Sequence, residues 1–396
     1  MPDTDPSTQP EAHVSDRDNP NHGEPATPSF SSLKEKLTSE FSSRQLINFP
    51  DYMEIVLYDP ENGYYANQTQ QVGRDGDFYT SVSVGPLFGE ILAHRFLGWW
   101  KDNGKPKPWR LLELGGHDGK LAADILSNLA RLSPEAWNGL QYASVEPLPK
   151  LRRAQRERLE PLVADLRIEA NTSVLAETPL PGIIFGNELL DALPFHLVKK
   201  SDDAWTELFV SSDMEFAPCE IAPNSKLAAK LKNIGSKFDN GYQTEVRSNY
   251  LSFIAPLTEC IEDGLILFID YGFAAPEYYD SHRTSGTLRT FSRHKAAENP
   301  LERAGEIDIT AHVDFTDLTL EMEHLGYYPT HFSSQGSYLT HLAADMIQSG
   351  DLDDFQKIAQ FKTLTHPGHL GASFHAIEFS KQSVSSPEIR HRLAIE

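Results

Sequence analysis

The chain has 396 residues, in which 35 Lys and Arg face 57 Asp and Glu, for a formal net charge of -22 at pH 7. That length exceeds the usual single domain and allows a sizeable core, while the charge argues against duplex nucleic acid or an anionic membrane as partner, because both require a surplus of Lys and Arg. A cationic substrate suits the chain better.

The longest apolar runs, such as GLILFI before Asp270, fall far short of a membrane span, and no early apolar stretch has the form of a secretory signal. Cys219 and Cys260 lie far apart with no CxxC spacing. Neither a zinc site nor a disulfide framework is indicated, and a reducing, cytoplasmic setting is expected. Residues 1–30 are rich in Pro, Asp, Ser and Asn and nearly devoid of large apolar residues. They cannot bury enough surface to offset ordering entropy and are expected to form a disordered tail, too acidic for a mitochondrial transit peptide.

Globular sequence comes next. FSSRQLINFPDYMEIVLYDPENGYY predicts a helix carrying Tyr52, Ile55, Val56 and Tyr58 on one side, stopped by Asp59-Pro60 and Asn62-Gly63. The Gly-rich GRDGDFYTS then leads to a helix with Phe88, Ile91, Leu92 and Phe96 at helical spacing. Residues 31–108 are therefore expected to be a helical extension packed on or over a main domain of residues 109–396. In that domain WRLLEL, YASVEP, GIIFGNE and GLILFIDYG read as strands, and KLAADILSNLARL as an amphipathic helix with Leu121, Ile125, Leu129 and Leu132 on one face. Such alternation predicts an α/β fold with a doubly wound, mainly parallel sheet, interrupted by insertions around 201–245 and 273–312.

Ligands of these folds bind beyond the carboxyl ends of the strands, which directs attention to the segment after each strand. After WRLLEL comes GGHDGK, where Gly115, Gly116 and Gly119 allow tight turns and close backbone approach before a helix amino terminus. The dinucleotide pattern GxGxxG is not met, because His117 and Lys120 occupy its later glycine positions, and a nicotinamide oxidoreductase is disfavoured. Glu113 closes the first strand. Glu146 closes the second, where a carboxylate can accept hydrogen bonds from both hydroxyls of a ribose. The loop and acid together suit an adenosine cofactor without a pyrophosphate. In GNELLDALP, Asn187, Glu188 and Asp191 stand where the crevice opens. Glu188 and Asp191 are close enough to share a face if that turn is helical, and could clamp a guanidinium; helix capping is the plainer alternative. DITAHVDF, with Asp308, Thr310, His312 and Asp314, and HPGHLGASFH, with His366, His369 and His375, are read as strand and loop rather than metal sites. Residues 281–303 hold five Lys or Arg against two Glu, and are expected to form a solvated hairpin, with docking of an acidic partner as the sharper alternative.

Taken in order, these motifs resemble the MidA-like family of S-adenosylmethionine-dependent methyltransferases, relatives of the mitochondrial complex I assembly methyltransferase that modifies a protein arginine. The likeness runs from about Phe41 to Phe374 and rests on DPENGYY, GRDGDFYTS, ELGGHDGKLAADIL, VEP, GNELLDALP, IDYG, the long block from Gly286 to Phe315, and the SQG of Ser334 to Gly336. It implies a Rossmann-like class I methyltransferase fold and S-adenosylmethionine as cofactor. Asp77, Phe78, Thr80, Glu113, Gly115, Gly116, His117, Gly119, Glu146 and Asn187 would hold the cofactor. Glu188, Asp191 and Asn187 would be catalytic, and Asp308, Thr310 and His312 would line the substrate side. The implied partner is a protein substrate, with a respiratory complex I subunit as the acceptor. The family's loop usually has a glycine where His117 stands, and TSP where this chain has Thr80, Ser81 and Val82. A non-catalytic assembly factor that binds the same cofactor and a small-molecule methyltransferase stay open as alternatives.

Overall fold

The computed structural model describes residues 32–67, 80–202, 204–235, 237–292, 295–296, 299–381 and 386–395. The expected tail of residues 1–30, and Asp77 and Phe78, lie outside them.

The apolar runs pair into one sheet. Its strands in chain order are β1 (Trp109–Leu114), β2 (Leu140–Val145), β3 (Leu166–Glu169), β4 (Leu180–Asn187), β5 (Ile261–Phe273), β6 (Tyr328–Ser334) and β7 (Phe374–Ser380), arranged β6-β7-β5-β4-β1-β2-β3. β7 runs antiparallel to both neighbours, and the other pairings are parallel. A short strand, Val313–Asp314, adds in parallel to the far end of β5. All six residues of β1 are buried, which explains why WRLLEL carries no polar alternation: helices cover both of its faces. Leu111, Ile183, Leu265 and Leu267 belong to the core on one face. Their sequence neighbours Leu112, Ile184, Ile266 and Phe268 belong to the core on the other.

Three strands of this sheet were not read from the sequence: β7, although it is largely buried, and two whose composition is unlike a core strand. β3 is four residues long and mostly half-exposed, and β6, YPTHFSS, is an edge strand with a proline.

The amino-terminal segment begins with α1 (Leu33–Arg44), α2 (Phe49–Tyr58) and α3 (Tyr64–Asn67). Asn48 caps α2 through its side chain, Pro50 fits its first turn, and Tyr52, Ile55 and Val56 are buried. After α4 (Ser81–Val84) comes α5 (Leu87–Asp102), which packs on the sheet and on α6 (Lys120–Leu132). A Cβ on Gly89 would lie 2.6 Å from Cβ of Asp124, so a glycine is needed where α5 and α6 meet.

Between β4 and β5 the chain builds a second, antiparallel sheet. Ala204–Ser211 pairs with His196–Ser201 and Phe216–Glu220, and His196–Ser201 pairs with Gln243–Val246. The amino-terminal Leu46–Asn48 pairs with Ala204–Ser211 as well. Residues of α1 and α2 therefore share a core with Phe195, Leu197, Val210 and Ile309. The hairpin expected in 281–303 is present as Arg289–Ser292 paired with Lys295–Ala296, and its first strand also pairs with Asp308–Thr310.

Candidate active site

The strand order reverses between β1 and β4, and a cavity of about 1020 Å³ opens beyond their carboxyl ends. Thr80, Glu113, Gly115, Gly116, His117, Glu146, Asn187, Glu188, Asp191, Asp308, Thr310 and His312 all line it. Gly119 does not; it caps α6 at φ +79°, and a Cβ there would press on the helix Pro149–Leu159 at 3.3–3.4 Å.

The loop after β1 is set by backbone conformation. Gly115, His117 and Gly119 have φ of +63°, +47° and +79°, so the family's glycine position at His117 is a left-handed one, which a side-chain-bearing residue occupies at a cost of about 1–2 kcal/mol. Gln155 Nε2 donates to the His117 carbonyl at 2.9 Å, and Arg158 grips the Asp118 carbonyl at 2.8 Å. Gly116 has a separate reason to lack a side chain: a Cβ would come within 2.6 Å of Glu113 Oε2. Glu113 is buried beneath the loop, accepts from the Tyr142 hydroxyl, and is pushed up to about 7 by burial.

Glu146 lies just past β2, buried apart from its contact with the cavity; Oε1 accepts from the Leu148 amide at 3.0 Å. Burial pushes its carboxyl up to about 7.

The segment after β4 is not helical, which corrects the condition placed on Glu188 and Asp191. Glu188 has φ +52°, and the chain turns sharply there. Asp270, three residues before the end of β5, causes the turn to hold: Oδ2 accepts from the amides of Leu189 at 3.0 Å, Leu190 at 2.7 Å and Asp191 at 3.3 Å. One carboxylate thus takes the place of a helix. The turn brings both acids to the cavity by sharp bending rather than by helical spacing, and with no helix beginning there the capping alternative falls. Glu188 Oε1 accepts from Asn187 Nδ2 at 3.0 Å and the Ser81 amide at 3.3 Å. Burial, reinforced by the charge of Asp191, pushes Glu188 up to about 8. Asp191 is pushed up to about 6 by burial, against the pull of Arg247.

Arg247 is a residue that the motifs did not single out. Its guanidinium donates to the carbonyls of Leu193 at 3.2 Å, His312 at 2.7 Å, Asp191 at 2.7 Å and Ala311 at 2.8 Å. It ties the Asn187–Asp191 turn to the Asp308–His312 segment. His312 Nδ1 is buried with no hydrogen-bond partner among the described residues, and burial together with Arg289, Arg283 and Arg247 pushes the ring down to about 4, so it is neutral at pH 7. Tyr58 and Tyr65 also reach the cavity. Asp270 had a signal in IDYG, as a polar residue at a strand end; Arg247 had none, because its partners are backbone carbonyls 54–65 positions away.

A family description of S-adenosyl-L-methionine-dependent methyltransferases matches residues 91–329. The chain belongs to this family. A crystal structure of a COG1565 superfamily member from Burkholderia thailandensis, bound to S-adenosyl-homocysteine, is 31% identical with a TM-score of 0.77, over 89% of this chain and 93% of that one. Protein arginine methyltransferase NDUFAF7 of Xenopus tropicalis, a mitochondrial protein, is 30% identical over 72% of this chain and 70% of its own. The Drosophila melanogaster homolog is 27% identical over 93% and 87%.

These relatives are named mitochondrial, which overturns the expected cytoplasmic setting. Unpaired cysteines and bulk charge report redox poise and solvation, not an address.

The cofactor of this methyltransferase is S-adenosylmethionine, and the residues of the cavity fit it. Gly115 and Gly116 line the cavity with bare backbone, and Glu146 stands in the wall as a hydrogen-bond acceptor. His117 Nε2 and Asn187 Oδ1 are buried polar atoms with no partner among the described residues, open to a ligand's hydrogen bonds. Thr80 borders the same space, its hydroxyl and that of Ser83 closing a capping box on α4, and Val82 takes the place of the family's proline.

Proposed function

We propose that the protein transfers a methyl group from S-adenosylmethionine to an arginine of a protein substrate, in a Rossmann-like class I methyltransferase fold. The observation that carries this is the convergence of Glu188 and Asp191, from the turn after β4, and Asp308, from a distant segment, on the cavity that contains the cofactor loop. Beside a cationic sulfonium, three more carboxylates suit a cationic acceptor. The names of the curated relatives support the same chemistry, and the family resemblance extends it to a respiratory complex I subunit as the acceptor protein.

Bound S-adenosylmethionine supplies an activated methyl group with a neutral thioether as leaving group, so the protein's task is alignment and exclusion of water. Glu146 would accept hydrogen bonds from the ribose hydroxyls, Gly115 and Gly116 would admit the cofactor close to the backbone, and Thr80 would border it. Glu188 and Asp191 accept N–H groups along one edge of the guanidinium, which turns a remaining nitrogen toward the methyl carbon. That nitrogen must lose a proton during or after attack, because a guanidinium has a pKa above ~12. With Oε1 of Glu188 held by Asn187 and Ser81, Oε2 takes the proton once the positive charges of the bound cofactor and acceptor have drawn this carboxyl, raised to about 8 in the free protein, into its ionised form. Asn187 Oδ1 and Asp308 accept further N–H groups, and the neutral His312 and Thr310 complete the acceptor side.

The test is to incubate the protein and methyl-labelled S-adenosylmethionine with the proteome of a strain lacking it, and to locate the label by mass spectrometry. A labelled protein carrying methylarginine is expected. Label confined to small molecules or to lysine overturns the proposal.

A further inference from the structure

At about 1020 Å³ the cavity lies at the top of the ~300–1,000 Å³ range of small-molecule pockets, and part of its wall belongs neither to the cofactor loop nor to the carboxylate turn. That part comes from the amino-terminal helices: Glu54 and Tyr58 of α2 and Tyr65 of α3. The Tyr58 hydroxyl donates to the Ala192 carbonyl at 2.9 Å, and the Tyr65 hydroxyl to Asp308 Oδ1 at 2.8 Å. Both hydroxyl protons are thus committed to protein acceptors. The rings pack with centroids 5.3 Å apart at 37°, and both side chains are half-buried along the cavity. Burial, then the nearby charges of Asp308, Glu54 and Asp191, hold the Tyr58 phenol well above its ordinary range, so it stays neutral.

Neutral aromatic rings among carboxylates attract organic cations. A planar guanidinium suits this setting better than an ammonium, because it stacks on a ring while donating in its own plane. We propose that Tyr58 and Tyr65 form a guanidinium subsite, in which the target arginine side chain lies against the two rings with Asp308, oriented by Tyr65, accepting one of its N–H groups. The inference rests on the protein-arginine reading above and deepens it: selection of arginine over lysine comes from the amino-terminal helices, while the strand ends of the sheet supply the cofactor site.

The experiment is calorimetry on the full chain saturated with S-adenosyl-homocysteine, using blocked Gly-Arg-Gly, Gly-Lys-Gly and Gly-citrulline-Gly peptides as probes. The wild type is expected to bind the arginine probe more tightly than the lysine probe, and the uncharged citrulline probe least. Tyr58→Leu and Tyr65→Leu should weaken the arginine probe by about tenfold, as expected for loss of a partly desolvated cation–π contact, with S-adenosyl-homocysteine affinity retained. Tyr58→Phe keeps its ring and should stay within a few-fold of wild type, whereas Tyr65→Phe keeps the ring but releases Asp308 and should weaken the arginine probe by less than Tyr65→Leu does, so that folding and stacking are separated. Leucine variants that bind the arginine probe like the wild type sink the subsite; if Glu188→Gln abolishes that binding at the same time, the arginine reading survives without it. A ring-dependent preference for the lysine probe keeps a cation subsite but refutes both arginine selection and the arginine reading. Absence of binding by both charged probes, or equal binding of citrulline, overturns the inference.

Discussion

At the scale of single residues, function here turns on carboxyl groups that burial has made reluctant to ionise. Glu146 is the clearest case. The role proposed for it toward ribose needs the ionised form, and burial pushes its carboxyl up to about 7 in the free protein. Cofactor affinity is therefore expected to fall as pH drops from 8 to 6, measured by calorimetry. Glu146→Ala should cost about 1.5–3 kcal/mol, roughly ten- to a hundredfold in affinity, and should flatten that pH profile; unaltered binding removes Glu146 from the ribose. Glu188→Gln tests the acceptor side. It should leave cofactor affinity within a few-fold and lower turnover by roughly a hundredfold, as for loss of a transition-state contact of ~3 kcal/mol. The same variant has a stability signature. Glu113, Glu146, Glu188 and Asp191 all have folded-state pKa values raised above the ordinary carboxyl range, to between about 6 and 8. The folded state then binds more protons than the unfolded state between about pH 4 and 8, so the stability these groups contribute is lost as pH rises through that window. The Tm of the cofactor-free protein is expected to decline from pH 5.5 to 8, and Glu188→Gln to decline less. A Tm that rises over the same range contradicts the assignment.

At the scale of elements, two loops carry the site, and each is held by something different. The loop after β1 is held by backbone conformation. Gly115→Val places a β-branched residue at φ +63° with its Cβ 2.7 Å from Leu189 Cδ1. Leu189 can swing aside, but the backbone cannot relax without reshaping the loop, so cofactor binding should be abolished. His117→Gly removes a left-handed residue with a side chain and should preserve binding, with stability changed by no more than about 1 kcal/mol because relief of strain and unfolded-state entropy oppose each other. Loss of binding in His117→Gly would show that the imidazole itself holds the cofactor. The turn after β4 is held by side chains, Asp270 beneath and Arg247 above. Arg247→Leu takes the guanidinium from four carbonyls, of which that of Asp191 keeps the Ala311 amide, an effect of about 3–5 kcal/mol on the scale of broken buried polar networks. Urea unfolding is the measurement. Arg247→Lys should recover little, since one ammonium has three donors and no fork to span two segments.

At the scale of the whole molecule, the net charge of -22 and the carboxylates of the cavity act together on a cationic partner. Encounter should be steered electrostatically, so kcat/KM for the protein acceptor is expected to fall as salt rises while kcat changes little, because screening acts within a Debye length of about 10 Å at 0.1 M. A salt-independent kcat/KM argues for an uncharged acceptor. How much of this architecture the chain announces depends on where each interaction is local. The strands Trp109–Leu114, Leu140–Val145, Leu180–Asn187 and Ile261–Phe273, the helix Lys120–Leu132, the stop after Tyr58, and the motif residues around the cavity were legible because periodicity, turn chemistry and motif order are properties of neighbouring residues. Edge strands such as Tyr328–Ser334 were not, since half-exposed positions lack that pattern. The amino-terminal strand Leu46–Asn48 joins a sheet whose other members begin 148 positions later at His196, and no local signal could pair them. Tertiary structure alone made the turn at Glu188 non-helical through Asp270, set Arg247 between two loops by bonding to carbonyls that every residue type carries, and brought Tyr58 and Tyr65 of the amino-terminal helices to the cavity. Sequence thus determined which chemistry-bearing residues exist and on which elements they ride. Their convergence depended on long-range contacts, in which backbone groups and ring faces bear no mark of their eventual partners.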